Sequence, residues 1–194
     1  MLFYYPNRPI LIPPDPDNPL EPKPDYINSL EKSGIYLGEQ KQNGDNILIY
    51  TGDMKIMNRH GKRHRYVPTP QVKKELSAFP TGAIINAELM HYKTKTVKDI
   101  IICHSLLAWK GKPLIGATWG DARDILQEQK YGKHVQLSKV WKKGFWELFQ
   151  KADGKIIEGI ILKDPTGKIR ISTSKIPDVS YMMKIRKPHK NYSF

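Results

Sequence analysis

Glu39-Gln40-Lys41-Gln42-Asn43-Gly44-Asp45-Asn46 runs without a break into Ile47-Leu48-Ile49-Tyr50, and this passage decides how the chain is read. A polar Lys-x-x-Gly turn precedes an apolar run of strand length. A lysine held between two strands by a glycine turn can point its amine into a cleft and act as a nucleophile. The ordinary alternative is a hairpin turn carrying a solvated lysine. Strand character extends to both sides, through Ile35-Tyr36-Leu37 before the lysine and Met54 to Met57 after it, with Gly52-Asp53 as a hairpin turn.

Outward from this passage, residues 6 to 24 are rich in proline and acidic side chains, as in Pro13-Pro14-Asp15-Pro16-Asp17. They read as an extended arm lying on the domain rather than a helix or a central strand. The expected division is an arm over 1–34 and one domain over 35–194. Thr69-Pro70 offers an N-cap followed by proline at the first helical position. Val72, Leu76 and Phe79 then form one apolar face, and Phe79-Pro80 marks the exit. Ala83 to Met90 and Asp99 to Leu107 read as strands. The spacing predicts helices from Thr118 to about Lys130, with Trp119, Ala122, Ile125 and Leu126 inward, and from Ser138 to Ala152, with Val140, Trp141, Phe145, Leu148 and Phe149 inward. These aromatic side chains read as core rather than a ligand platform. Lys155 to Lys163 and Val179 to Ile185 read as late strands. The expected class is α+β around antiparallel sheet.

With 194 residues, 39% of them hydrophobic, the chain can bury a real core. A formal net charge of +13 and a pI near 9.7 favour a polyanionic partner. No apolar stretch approaches the roughly 18 residues of a membrane span. No signal peptide is visible in Met1-Leu2-Phe3-Tyr4-Tyr5. Cys103 is the only cysteine, sits in the apolar run Ile100-Ile101-Ile102, and reads as a core residue. A lone cysteine excludes an internal disulfide and a cysteine-based zinc site. The histidines show no metal-ligand spacing, and a reducing, cytoplasmic compartment is the default.

Five short motifs follow one another in order: Lys41-Gln42-Asn43-Gly44, Asn58-Arg59-His60-Gly61-Lys62, Asn86-Ala87-Glu88-Leu89-Met90, Glu158-Gly159-Ile160-Ile161-Leu162-Lys163 and Met183-Lys184-Ile185-Arg186-Lys187. This ordered set resembles the covalent nucleotidyltransferase superfamily of ATP-dependent DNA ligases, RNA ligases and mRNA capping enzymes. The resemblance covers roughly residues 35 to 187. It implies an antiparallel-sheet nucleotidyltransferase domain of the ATP-grasp-like ligase type. It also implies that Lys41 attacks the α-phosphate of a nucleoside triphosphate and keeps the nucleotide as a phosphoramidate. A free lysine, with pKa about 10.4, is neutral only about once in several thousand at pH 7. Nearby cations would favour the neutral amine and neutralise the triphosphate, and Lys184 and Arg186 match the family's terminal Lys-x-Lys motif. Glu88 would accept from ribose hydroxyls. Glu158 would bind Mg²⁺ (Mn²⁺ as a substitute) or orient Lys41. A structural salt bridge is the other reading for either glutamate. Glu39 lies where ligases carry a residue that touches the adenine amine, Arg59 matches a phosphate-binding arginine, and Lys163 joins the nucleotide-binding set.

The sequence also departs from the pattern. The commonest ligase motif is Lys-x-Asp-Gly-x-Arg, and here Asn43 and Asn46 replace the aspartate and the arginine. Asn46 is similar to the RNA ligase 2-like branch, where Lys-x-x-Gly-x-Asn is usual. His104, in His104-Ser105-Leu106-Leu107, stands where an aromatic ring stacks on the purine, and Arg186 replaces the last lysine. Only seven residues follow Lys187, so no C-terminal OB-fold is expected in this chain. A protein partner supplying one is an alternative. Arg59, Lys62, Arg63 and Arg65 cluster in one loop, and Lys184, Arg186, Lys187 and Lys190 cluster near the C-terminus. Both suit phosphate contacts, which are salt-dependent but not sequence-specific, and the first also reads as a solvated loop. The function expected is an ATP-dependent polynucleotide ligase acting on 5′-phosphate and 3′-hydroxyl ends, tilted toward RNA with a minimal DNA ligase beside it. A GTP-dependent capping guanylyltransferase and a catalytically inert nucleic-acid-binding relative are the alternatives.

Overall fold

The computed structural model describes residues 3–12 and 22–187. In chain order the elements are β1 (Arg8–Leu11), α1 (Pro24–Lys32), β2 (Leu37–Gln42), β3 (Asp45–Tyr50), β4 (Lys55–Asn58), α2 (Pro70–Leu76), β5 (Ile84–Met90), β6 (Ile100–Trp109) and β7 (Lys112–Pro113). There follow α3 (Trp119–Gln127), β8 (Val135–Leu137), β9 (Val140–Trp141), α4 (Phe145–Gln150), β10 (Ile157–Lys163) and β11 (Asp178–Arg186). The expected α+β class with antiparallel sheet is what the structure has. Residues 13–21 of the proline-rich arm lie outside the described residues. Of its flanks, β1 is an edge strand beside β11, and Pro24 opens α1 at a first-turn position where a missing N–H costs nothing.

Two compact units make up the chain. The first contains residues 3–8, 44–138 and 168–178. Its sheet runs β4-β3-β5-β6-β7, with β8 added in parallel to β6 and the other neighbours antiparallel. Ile47, Ile49, Ile85, Leu89 and Leu106 are buried with Val72 and Leu76 of α2 and Ala122 and Leu126 of α3. Both helices start as the sequence predicts. Thr69 Oγ1 accepts from Val72 N with Pro70 at the first position, and Thr118 and Asp121 form a reciprocal capping box. Cys103 is fully buried, and burial pushes its thiol up to about 12, so it is no nucleophile at neutral pH.

The second unit contains 9–12, 22–43, 139–167 and 179–187 among the described residues, with sheet order β1-β11-β10-β2-β9. Ile160, Leu162, Met183 and Ile185 pack one face of this sheet onto Phe145, Leu148 and Phe149 of α4 and Ile27 of α1.

Two expectations are corrected here. Lys41 lies inside β2 rather than in a turn, and β2 pairs with β10 and β9 while β3 pairs with β4 and β5. No hairpin joins β2 to β3, so the ordinary hairpin reading falls. The helix expected from Ser138 to Ala152 is only α4, six residues long. Gly144 adopts a left-handed φ of 77° before it, and Val140-Trp141 pairs instead with Gly38-Glu39 at the sheet edge. Glu31 Oε2 accepts from Phe145 N at 2.8 Å, supplying the acceptor that a glycine cap cannot.

Candidate functional site

In the second unit, strand alternation sorts the side chains. Ile160, Leu162, Met183 and Ile185 point into the core, so their neighbours Gly159, Ile161, Lys184 and Arg186 present the opposite face. The register sets Lys41 across from Gly159 and Gly159 across from Arg186, and sets Glu39 across from Ile161 and Ile161 across from Lys184. Lys41, Glu39, Lys184 and Arg186 therefore share one surface of three adjacent strands.

Glu158 joins them through an irregularity in the ladder. Ile157 pairs with Gln42 and Gly159 with Lys41, leaving Glu158 as the extra residue of a β-bulge. Bulges of this kind re-aim a side chain. Glu158 Oε2 lies 2.7 Å from Lys41 Nζ and 3.8 Å from Arg186 Nε, with side-chain exposures of 12%, 17% and 22% in that order. The contact is electrostatic, since Glu158 Oε2 is buried without a well-directed hydrogen bond. Gly159 makes the arrangement possible. Its φ is 155°, and a Cβ there would stand 2.9 Å from Arg186 Cα and closer still to the Ile185 carbonyl oxygen. Only glycine lets β10 and β11 approach so closely, and it leaves open the gap between Lys41 and Arg186. A glycine within an apolar strand run is the sequence signal that could have identified it.

Glu39 and Lys163 form a second pair on this face. Lys163 Nζ is 2.7 Å from Glu39 Oε2, with side-chain exposures of 1% and 3%. An ion pair so deeply buried is costly to break. The structure thus places Glu39, expected near an adenine amine, against Lys163.

In the first unit, Glu88 and Asn46 are directly opposed on β5 and β3. Glu88 Oε1 accepts from Gly44 N at 2.9 Å, and Asn46 Nδ2 lies 3.5 Å from His104 Nε2. His104 is also a bulge residue, because Asn86 pairs with Ser105 while Ala87 pairs with Cys103. Its carbonyl accepts from the Nε1 of the fully buried Trp119. Asn86 lies two positions before Glu88 and therefore on the same face of β5. Its Oδ1 is buried without a hydrogen-bond partner among the described residues, a polar group that the motif reading passed over. Arg59 sits beyond β4 in an exposed loop, with its Nε 3.2 Å from His60 Nε2.

Lys62, Arg63 and Arg65 are exposed in the loop after β4, Lys187 Nζ lies 4.5 Å from the Phe149 ring centre, and Lys190 falls outside the described residues. Among the described residues, no three His, Cys, Asp or Glu side chains gather where they could hold a metal. Glu158 is nevertheless a carboxylate next to the lysine. One carboxylate plus substrate phosphates is a usual arrangement for Mg²⁺, so the donor set fits a metal that arrives with a nucleotide.

Neither a protein-family model nor a curated protein matches the sequence. Solved structures do. The ligase domain of LigD from M. tuberculosis aligns with a TM-score of 0.56 at 14% identity, covering 78% of this chain and 53% of that one. The ATP-dependent DNA ligase of bacteriophage T7, solved in complex with ATP, gives 0.51 at 17% identity, covering 94% and 68%. An archaeal ATP-dependent RNA ligase gives 0.50 at 13% identity, covering 83% and 45%. The chain spans about half the length of the first of these. At such identities the likeness is one of fold. The chain shares its α+β fold with these ATP-dependent DNA and RNA ligases. No helix among the described residues is long and apolar enough to cross a membrane.

Proposed function

We propose that the protein is an ATP-dependent polynucleotide ligase working through a lysyl-AMP intermediate on Lys41. The observation that carries this reading is the cluster on the face of β2, β10 and β11, where one carboxylate, Glu158, meets both Lys41 and Arg186. Lys41 Nζ attacks the α-phosphorus of ATP. A P–N bond forms, the P–O bond to pyrophosphate breaks, and Glu158, whose Oε2 is 2.7 Å from the amine, takes the proton that the amine loses. Lys184 and Arg186 balance charge on the leaving pyrophosphate. Mg²⁺ held by Glu158 and the phosphates would supply further neutralisation there. A 5′-phosphate oxygen of the nucleic acid then displaces Lys41 from the adenylyl phosphorus. Attack by a 3′-hydroxyl on the activated 5′-phosphate finally releases AMP and seals the strand.

The resemblance alone would assign Glu88 to the ribose, Arg59 to a phosphate and His104 to the base. Asn46 tilts the substrate toward RNA, and comparing nicked RNA with nicked DNA at matched salt tests that preference. Labelled ATP with Mg²⁺ should attach one AMP per chain, in an acid-labile bond absent from Lys41→Ala. Labelling by GTP and not ATP would indicate a capping guanylyltransferase instead. No labelling by either would leave an inert nucleic-acid-binding protein.

A further inference from the structure

The first unit's sheet gathers at one end two basic loops that are far apart in sequence. The register places the close of β4 at Asn58, the start of β3 at Asp45, the close of β5 at Met90 and the start of β6 at Ile100 along the same edge. The loop after β4, with its four exposed cations, and the 91–99 loop therefore leave the same end of the sheet, with β3 between them. They are tied together, since the Tyr66 ring meets the His91 ring edge-on at 4.9 Å.

The 91–99 loop is built rather than loose. Thr94 Oγ1 accepts from both Thr96 N and Val97 N, and Lys93 N donates to Val97 O at 3.0 Å. His91 Nδ1 lies 3.0 Å from Asp99 Oδ1 across the loop base. Around this frame Lys93, Lys95 and Lys98 are all exposed. Tyr92 holds a left-handed φ of 52° and is 72% exposed, backed by the His91 ring at 4.0 Å. A large ring held outward among lysines on an otherwise polar loop has no core to serve.

We infer that this end of the sheet is a docking surface for single-stranded polynucleotide. The lysines and the neighbouring cations follow the phosphates, and Tyr92 stacks on an unpaired base. Of the acids at this end, Asp45 and Asp99 lie beside His64 at 3.4 Å and His91 at 3.0 Å and Glu88 accepts from Gly44 N, which leaves the positive charge in excess. The inference deepens the ligase reading by naming the surface that holds a strand end. It rests on that reading only for the kind of end presented.

The test uses the full chain and a fluorescent 5′-phosphorylated single-stranded oligonucleotide, with anisotropy read across a salt series. Lys93→Ala/Lys95→Ala/Lys98→Ala should flatten the slope of log affinity against log salt by about 2, three phosphate contacts at about 0.7 each. Tyr92→Ala should weaken binding about tenfold with the slope kept, since base stacking does not release counterions. Tyr92→Phe and the triple Lys→Arg variant should bind as the parent does, which separates the effect from misfolding. Unchanged slope and affinity in the alanine variants would overturn the inference. So would stronger retention on phosphatidylserine vesicles than on the oligonucleotide. ATP labelling of the unmodified protein, read without oligonucleotide, reports on the ligase reading separately.

Discussion

Replacing Lys163 by methionine leaves the Glu39 carboxylate buried beside an apolar chain. At 2.7 Å the two charges attract by about 6 kcal/mol if the effective dielectric constant is about 20. Most of this is offset by the cost of removing both groups from water, so the intact pair adds little net stability. Losing one partner is different, because the other keeps its desolvation cost without its attraction. With exposures of 1% and 3%, water cannot enter to compensate, and Lys163→Met should cost about 3–5 kcal/mol. Glu39→Leu/Lys163→Met removes both charges and should be less damaging than Lys163→Met alone. Equilibrium urea unfolding of the parent, both single variants and the double gives the cycle. A Lys163→Met variant within about 1 kcal/mol of the parent, the range of exposed pairs, would refute the reasoning. Glu39→Gln adds a second readout. If Glu39 reads adenine instead, its loss would spare the unfolding midpoint and weaken labelling by ATP.

Gly159→Ala should cost about 1–3 kcal/mol, as overpacking does, and should slow adenylylation by shifting Glu158 and Arg186; thermal melts and single-turnover labelling check both. Glu158→Gln should reduce the rate of AMP attachment by about 10²–10⁴-fold with the fold intact, measured under ATP saturation with a circular dichroism control. Burial alone would raise the Glu75 carboxyl, but hydrogen bonds from Gln71, Val135 N and His134 N outweigh it and hold the group below its ordinary value of 4.5. A lowered folded value means that this stabilisation is present above the ordinary value and is lost as pH falls through the folded one. Glu75→Gln should therefore melt lower near neutrality, with the gap to the parent narrowing in acid; a constant gap from pH 7 to pH 3 would count against this.

How far the fold could be read from sequence depended on whether local signals and tertiary packing agreed. Thr69-Pro70 and Thr118-x-x-Asp121 carry their own capping chemistry, and both helices start there. Ser138 to Ala152 carries a helical apolar period, yet Gly144 breaks it and edge pairing claims Val140-Trp141. Helix α1 follows a proline-rich stretch and shows only nine residues, too few for its period to stand out. In the site, Lys41, Glu158 and Arg186, named from the motif order, lie on the adjacent strands β2, β10 and β11. The motif order did not reveal that Lys41 is a strand residue, because only β10, more than a hundred residues later, shows which sheet β2 enters. The bulges at Glu158 and His104 were equally invisible, since an extra residue in a ladder is defined by its partner strand. Glu39 and Lys163 likewise looked like two ligand contacts until the register brought them together.

Peptide mapping by mass spectrometry after incubation with ATP and Mg²⁺ tests the central claim most directly. A single AMP on the peptide containing Lys41, lost in Lys41→Ala and restored to free AMP by a 5′-phosphorylated strand with a 3′-hydroxyl end, is the result expected. AMP carried by another residue, or full labelling of Lys41→Ala, would contradict it.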